Sequence, residues 1–252
     1  MSTVDERRFN WFEHASGDAA AAQSFYAEVL PWTVESFPLG DMRYPMIKSG
    51  EVAIGGFTPL PPGVTQPHWV SYLRVTDVDR SAAAVTAAGG KLLMEALDVP
   101  TVGRMQPFAD PQGGTALLFT PANSQPGPAA SGNGTFHWNE LWCRDPAAAL
   151  AFYERVFGFT HVRMEMPHGS YYVLEHGGVR RGGIMASPIA ELPTHWLPYV
   201  AVDDLDGTLA RVQRNRGKQD GEPITTPGVG RYAFIRDPQG ARMGLITPAA
   251  RA

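Results

Sequence analysis

The feature that most restricts this chain is a duplication. At a constant offset of 127 residues, Trp11 falls on Trp138, Glu13 on Glu140, Phe25-Tyr26 on Phe152-Tyr153, Tyr44 on Tyr171 and Gly55-Gly56 on Gly182-Gly183. Further along, His68-Trp69 falls on His195-Trp196, Tyr72 on Tyr199, Val102-Gly103-Arg104 on Val229-Gly230-Arg231, and Asp110-Pro111-Gln112-Gly113 on Asp237-Pro238-Gln239-Gly240. No gap is needed from residue 9 to residue 122, so both halves must build the same fold. The stretch between them, NSQPGPAASGNG at 123–134, has the composition of a flexible linker. The organisation read from this is a first domain at 1–122, a linker at 123–134 and a second domain at 135–252, each of ordinary domain size.

Each copy divides again. In the second, residues 135–142 read as a strand. Asp145-Pro146 then opens a helix, with the aspartate as cap and the proline at the first helical position. Leu150, Phe152, Tyr153, Val156 and Phe157 have helical spacing, and Gly158 stops the run. Short strands follow at 160–166, 169–176 and 179–186. A second round begins with a strand at 195–202 and a helix at 205–216 stopped by Gly217. It closes on three further strands, the last two joined by the D-P-Q-G turn, whose proline and glycine suit a type I hairpin. The unit is strand-helix-strand-strand-strand, four times along the chain.

Composition removes several classes of function. The 252 residues carry a net charge of −4 with no Lys/Arg cluster, so nucleic acid is not an expected partner. One cysteine, Cys143, allows no internal disulfide and no cysteine-based zinc site. No apolar run approaches the roughly 18–20 residues of a membrane span, and the charged start MSTVDERR lacks a signal-peptide core. The expectation is a cytoplasmic protein, monomer or homodimer, with no membrane partner.

Four such units, with F-Y-x-x-V-[LF]-[GP] on each odd helix and D-P-x-G before each even final strand, resemble the vicinal oxygen chelate superfamily. W-x-E on the first strand, [PT]-H-W, V-G-R and D-P-Q-G look closest to its tandem two-domain glyoxalase-related proteins of actinobacteria. The resemblance covers about 9–122 and 135–249. It implies an α+β fold: four βαβββ units in curved mixed sheets that enclose cavities, with helices on the outer face. Metal enzymes of the superfamily take ligands from the first and last strands of each unit. Here the corresponding positions hold Trp11 and Trp138, Val70 and Leu197, glycine near Gly55 and Gly182, then Leu117 and Gly244. None is a good ligand for a divalent ion, so the expected state has neither metal nor cofactor.

Strand alternation puts Glu13 on the face of Trp11, and Glu140 on that of Trp138. Each glutamate is a candidate catalytic base, or else a buried structural carboxylate paired with an arginine such as Arg104 or Arg231. Trp11, Trp138, His68, His195, Tyr72, Tyr199, Arg104 and Arg231 are candidate ligand-binding residues, with Val70, Leu197, Leu117 and Phe119 completing an apolar lining. The histidines could equally be structural, and the arginines could tie strands or grip an anion. Trp69 and Trp196 should point the other way and pack on helices. Copy two alone carries His161, His168, His176 and Arg180-Arg181. Beside a duplicated scaffold with filled pockets that serves protein association, two functions follow as expectations. One is a metal-free, bleomycin-resistance-like protein that binds, and so sequesters, a small hydrophobic or aromatic drug or metabolite. The other is a lyase, isomerase or dioxygenase-type enzyme using a glutamate or a relocated metal at His68 or His195.

Overall fold

The computed structural model describes residues 7–40, 42–123, 131–166 and 169–250. Within the 123–134 linker, residues 124–130 lie outside the described residues, as does His168.

The four repeats appear as modules. The first holds β1 (Phe9–Ser16), α1 (Ala19–Val29), β2 (Trp32–Leu39), β3 (Met42–Ser49) and β4 (Val52–Pro59). The second holds β5 (His68–Arg74), α2 (Val78–Ala87), β6 (Lys91–Leu92), β7 (Leu97–Val99), β8 (Gly103–Ala109) and β9 (Thr115–Pro121). The third holds β10 (Phe136–Cys143), α3 (Pro146–Phe157), β11 (Thr160–Met166), β12 (Gly169–His176) and β13 (Val179–Ala186). The fourth holds β14 (His195–Ala201), α4 (Leu205–Arg214), β15 (Lys218–Thr226), β16 (Gly230–Arg236) and β17 (Arg242–Pro248).

Local chemistry explains the element ends. All four helices open on an aspartate, Asp18, Asp77, Asp145 or Asp204, whose side chain accepts a backbone N–H three residues on. Gly158 closes α3 in the left-handed conformation. Helix α4 ends at Arg214, short of Gly217: Asn215 N–H returns to the Arg211 carbonyl, and Arg216 turns left-handed with φ 65°.

One mixed sheet runs β2-β3-β4-β1-β5-β9-β8-β6, with β7 also on β8, and the other runs β11-β12-β13-β10-β14-β17-β16-β15. The parallel pairs fix the register that matters below. Glu13 lies opposite Gly56, Glu140 opposite Gly183, Tyr72 opposite Leu117 and Tyr199 opposite Gly244.

The chain packs into two compact units, and each draws one module from each copy. One gathers β5–β9 with β10–β13, the other β1–β4 with β14–β17, with boundaries inside β1, β5, β10 and β14. The first unit's core joins Leu73, Phe108 and Leu118 to Leu141, Phe152, Phe157, Leu174 and Ile184. Each such side chain contributes about 1.5–3 kcal/mol by leaving water.

A polar interlock runs through each core. In the first unit Trp196 Nε1–H donates to Tyr153 Oη at 3.0 Å, and Tyr153 Oη–H donates to Asp110 Oδ2 at 3.1 Å. The other Asp110 oxygen accepts the N–H groups of Gln112 and Gly114. Gln112 reaches back to the helix cap, donating to the Asp145 carbonyl at 2.8 Å and accepting from Asp145 N–H at 2.9 Å. The second unit repeats the pattern. Trp69 donates to Tyr26, Tyr26 to Asp237 and Gln239 to the Asp18 carbonyl. Here His14 is added, its Nε2 2.6 Å from Asp237 Oδ2, with both side chains sealed from solvent. The matching position in the first unit is the apolar Leu141. Trp69 and Trp196 therefore serve the helix side of the sheets, as expected. Burial, then the adjacent aspartate, pushes both tyrosines well above their usual pKa.

Each D-P-Q-G turn thus clamps the helix of the other copy. Removing a buried acceptor costs about 1–3 kcal/mol per orphaned donor. Asp110→Ala and Asp237→Ala are both expected to lower the urea midpoint, Asp237→Ala further because His14 also loses its partner. An Asp237→Ala protein as stable as wild type would contradict the interlock. Burial also holds the Asp110 carboxyl above its usual range. The folded state then binds that proton more tightly than the unfolded chain, so stability falls as pH rises between the ordinary aspartate value and the raised one. Asp110→Asn should lack that component when unfolding is measured across the window.

Candidate functional site

In β1, Glu13 is half-buried and its Oε1 accepts a hydrogen bond from Tyr44 Oη at 2.7 Å. Tyr44, on β3, lies across β4. A Cβ on Gly56 would fall 2.0 Å from the Tyr44 hydroxyl oxygen. Glycine at 56 is therefore what lets the phenol reach the carboxylate. Its cross-strand partner Phe37 on β2 is 39% exposed, an apolar side chain on the same face.

The equivalent strands of copy two carry the same residue types. Tyr171 lies across Gly183, where a Cβ would come within 1.9 Å of its hydroxyl oxygen. Its hydroxyl accepts from Trp138 Nε1–H at 2.8 Å. Glu140 accepts from Trp142 Nε1–H at 2.6 Å, and is only 5% exposed. The His195 ring stands edge-on to Trp142 at 5.5 Å, and its Nδ1 lies 2.8 Å from the Pro193 carbonyl oxygen. His68 makes the matching contact to the Gln66 carbonyl oxygen at 2.9 Å.

Aromatic faces also occur in modules two and four. Tyr72 is buried, with Phe119 at 6.0 Å. Tyr199 sits with Tyr232 and Phe234 at 6.1 and 5.9 Å. Its ring overlies Gly244, where a Cβ would come within 2.3 Å. Leu97 opposite Met105 and Ile224 opposite Tyr232 add exposed apolar groups at the strand edges.

The arginines do something else. Arg104 binds Asp79, in the first turn of α2, at 2.8 Å, and also Asp98. Arg231 binds Asp206, in the first turn of α4, at 2.7 Å, and holds that carboxyl below its usual range. The expectation of a pair with Glu13 or Glu140 is corrected: these arginines tie strands β8 and β16 to neighbouring helices. Arg104 also borders a shallow cavity of about 360 Å³ with Val99, Thr101 and Pro121, but its fork is committed to the two aspartates. His161 is exposed and pairs with Glu154, its Nδ1 2.7 Å from Oε1. Cys143 is buried, and its thiol is pushed up to about 12 by burial, with the Asp110 and Asp145 carboxylates adding to this.

Sequence reasoning missed Tyr44, Tyr171 and Trp142 as site residues. The signal for the tyrosines was present, since the Gly-Gly pairs recur at a fixed distance behind them. Trp142 stands where copy one has Ala15, so a search for recurrence passes over it.

Comparison with known proteins decides the family. The model of the Glyoxalase/Bleomycin resistance protein/Dioxygenase superfamily matches residues 8–117 and again 135–245. The chain belongs to this superfamily. CFP32 of Mycobacterium tuberculosis, whose name provisionally attributes to it a glyoxylase activity, is 37% identical over 246 residues, 95% of this chain and 94% of its own. The anthracycline biosynthesis protein DnrV of Streptomyces peucetius is 28% identical over 253 residues, 94% of this chain and 91% of its own. Two solved structures share the fold. The 2,3-dioxygenase LapB from Pseudomonas sp. KL28 has TM-score 0.69 and 15% identity, covering 100% of this chain and 95% of its own. The Mn(II)-bound glyoxalase from Novosphingobium aromaticivorans has TM-score 0.65 and 17% identity, covering 96% and 82%.

The residues at the superfamily's ligand positions do not fit a metal. Trp11, Trp138, Val70, Leu197 and Leu117 offer no donor of the required kind. The glycine positions have no room for one. A Cβ at Gly55 would lie 2.0 Å from the Phe12 carbonyl oxygen, one at Gly182 2.8 Å from that of Asn139, and one at Gly244 inside the Tyr199 ring contact. Among the described residues no group of three or more His, Cys, Asp or Glu could hold an ion. Among them, too, no helix is long and apolar enough to cross a membrane.

Two outcomes check this geometry. Gly183→Ala should drive Tyr171 off its strand, break the Trp138 hydrogen bond and lower the melting temperature, while alanine at the open Gly177 tests only the local left-handed turn. Cys143 should resist thiol reagents at mildly alkaline pH until the protein unfolds; rapid labelling of the folded protein would contradict its burial.

Proposed function

We propose that this protein binds a small hydrophobic or aromatic molecule without a metal, and acts by holding or sequestering it as a drug or metabolite. The observation that carries this reading is Glu13 held by the Tyr44 hydroxyl on a strand face that also presents the exposed Phe37 ring. Aromatic walls around a few placed polar groups are the usual make-up of a small-molecule site. A carboxylate there accepts a hydrogen bond from a ligand hydroxyl and fixes its orientation. The glycine and tryptophan occupancy of the superfamily's ligand positions supports the metal-free half of the reading. The kinship with an anthracycline biosynthesis protein supports a flat, partly aromatic ligand.

A second reading is a lyase, isomerase or dioxygenase-type enzyme of the same superfamily. It is favoured by one observation: Glu13 is partly exposed beside a phenol, an arrangement in which a carboxylate takes a proton from a bound substrate.

The test is a titration with 1,4-dihydroxyanthraquinone, followed by quenching of tryptophan fluorescence, with and without chelator. The expected result is saturable quenching that chelator leaves unchanged. Absence of saturable quenching, or its loss on chelation, would overturn the reading.

A further inference from the structure

Three cations stand side by side at the foot of the last hairpin. Lys218 on β15 lies opposite Arg236 on β16, and Arg236 lies opposite Arg242 on β17, so all three share one face of the sheet. Like charges directly opposite one another destabilise a sheet. One carboxylate offsets them. Asp220, two residues from Lys218 on the same face, accepts from Arg236 Nε at 2.9 Å through Oδ1, which also lies 2.6 Å from Arg236 Nη2. Its Oδ2 accepts from Arg242 Nη1. Two guanidinium groups thus share one carboxylate, and Arg236 Nη1 takes no protein partner among the described residues. A tie between strands needs only one arginine, so the second, with Lys218, leaves positive charge in excess. Copy one carries none of this triad: Asp220, Arg236 and Arg242 align with Leu93, Ala109 and Thr115.

The row borders a cavity. Gln213 of α4, Lys218, Gln219, Gly221 and Glu222 of β15, and Arg236 line a space of about 610 Å³, within the size range of small-molecule sites. A bulge shapes its wall. The register of β15 against β16 shifts between Asp220 and Ile224, Gln219 Nε2 donates to the Gly221 carbonyl at 2.7 Å, and Gly221 is left-handed with φ 75°. The wall is built of amides and charges rather than apolar groups.

We propose that this cavity binds the phosphate group of a small hydroxylated molecule, with Lys218 and Arg236 on the phosphate oxygens and Glu222 and the Gln213 amide taking hydroxyls. A phosphate monoester brings close to two negative charges and several acceptor oxygens, which match an ammonium and a guanidinium held side by side. Arg242 is a positioning residue. By taking the second Asp220 oxygen it keeps that carboxylate from cancelling the charge of Arg236. The hairpin that carries both arginines is itself fixed, because Asp237, next to Arg236, is held by His14 and Tyr26. The cations therefore stand in place before a ligand arrives. All these residues belong to one compact unit. The site does not draw on the Glu13 face, so this inference goes beyond the small-molecule reading above and stands without it.

The experiment is calorimetric titration of glycerol 3-phosphate, inorganic phosphate and glycerol into the full chain in phosphate-free buffer, with a thermal melt of each variant. Wild type is expected to bind one glycerol 3-phosphate per chain, more tightly than inorganic phosphate, and to give no binding heat with glycerol. Arg236→Gln should weaken binding by about tenfold or more, the loss of a charged hydrogen bond. Lys218→Gln should weaken it by about threefold or more, at an unchanged melting temperature because Lys218 is exposed. Arg242→Gln should also weaken binding, and Arg242→Lys should restore it. Arg231→Gln, which removes a guanidinium already held by Asp206, should leave binding as in wild type. If Arg236→Gln does not fold, Lys218→Gln decides the matter. No saturable binding by wild type, or wild-type affinity in Lys218→Gln and Arg236→Gln, would overturn the site. Equal weakening by Arg231→Gln and Arg236→Gln would also overturn it, as it marks general attraction to positive charge. Inorganic phosphate binding as tightly as glycerol 3-phosphate would overturn the assignment of a hydroxylated carrier.

Discussion

The rest of the structure depends on one interaction: the buried carboxylate of each D-P-Q-G turn accepting a tyrosine hydroxyl from the other copy. Asp110 receives Tyr153, and Asp237 receives Tyr26. A buried carboxylate is costly unless its oxygens are satisfied. Here backbone N–H groups of the turn take one oxygen, and the tyrosine takes the other. The glutamine beside it reaches the cap of the helix that carries the tyrosine. Four residues of turn thus fix the position of a helix through a tyrosine 43 residues away in sequence in one unit and 211 away in the other. Each compact unit is cross-linked between copies by polar contacts that tolerate little displacement.

That rigidity sets the strand faces. With helices pinned on one side, alternation delivers Trp11 and Glu13, or Trp138 and Glu140, to the other. What happens there follows from glycine. At 56, 183 and 244 the absence of a side chain makes room for a tyrosine ring from an adjacent strand. The superfamily's metal chemistry needs donors at such strand positions. This chain has put aromatic rings over bare backbone instead. The small-molecule binding we propose would use the carboxylate of Glu13 and the phenol of Tyr44.

Much of the fold was legible in the sequence. The repeat, the four modules, the aspartate caps, the left-handed stop at Gly158 and the two hairpin turns are local features, each signalled by a few adjacent residues. The orientation of Trp69 and Trp196 followed from strand alternation alone. Pairing between copies was not legible. Phe-Tyr and D-P-Q-G both recur, and nothing in their spacing says that Tyr153 meets Asp110 where Tyr26 meets Asp237. The arginine partners were misread for the same reason, since Arg104 and Arg231 meet aspartates 25 residues upstream on helices that only the fold brings near. Trp142 and His14 escaped because each breaks the repeat, facing Ala15 and Leu141 in the alignment. Symmetry locates the frame of such a protein.

The most direct test of the central proposal, that this protein works without a metal, is elemental analysis of protein purified without chelator. The account predicts far less than one equivalent of zinc, nickel, iron or manganese per chain, and a melting temperature unmoved by chelator. About one ion per copy, removed by chelator together with ligand binding or turnover, would contradict it.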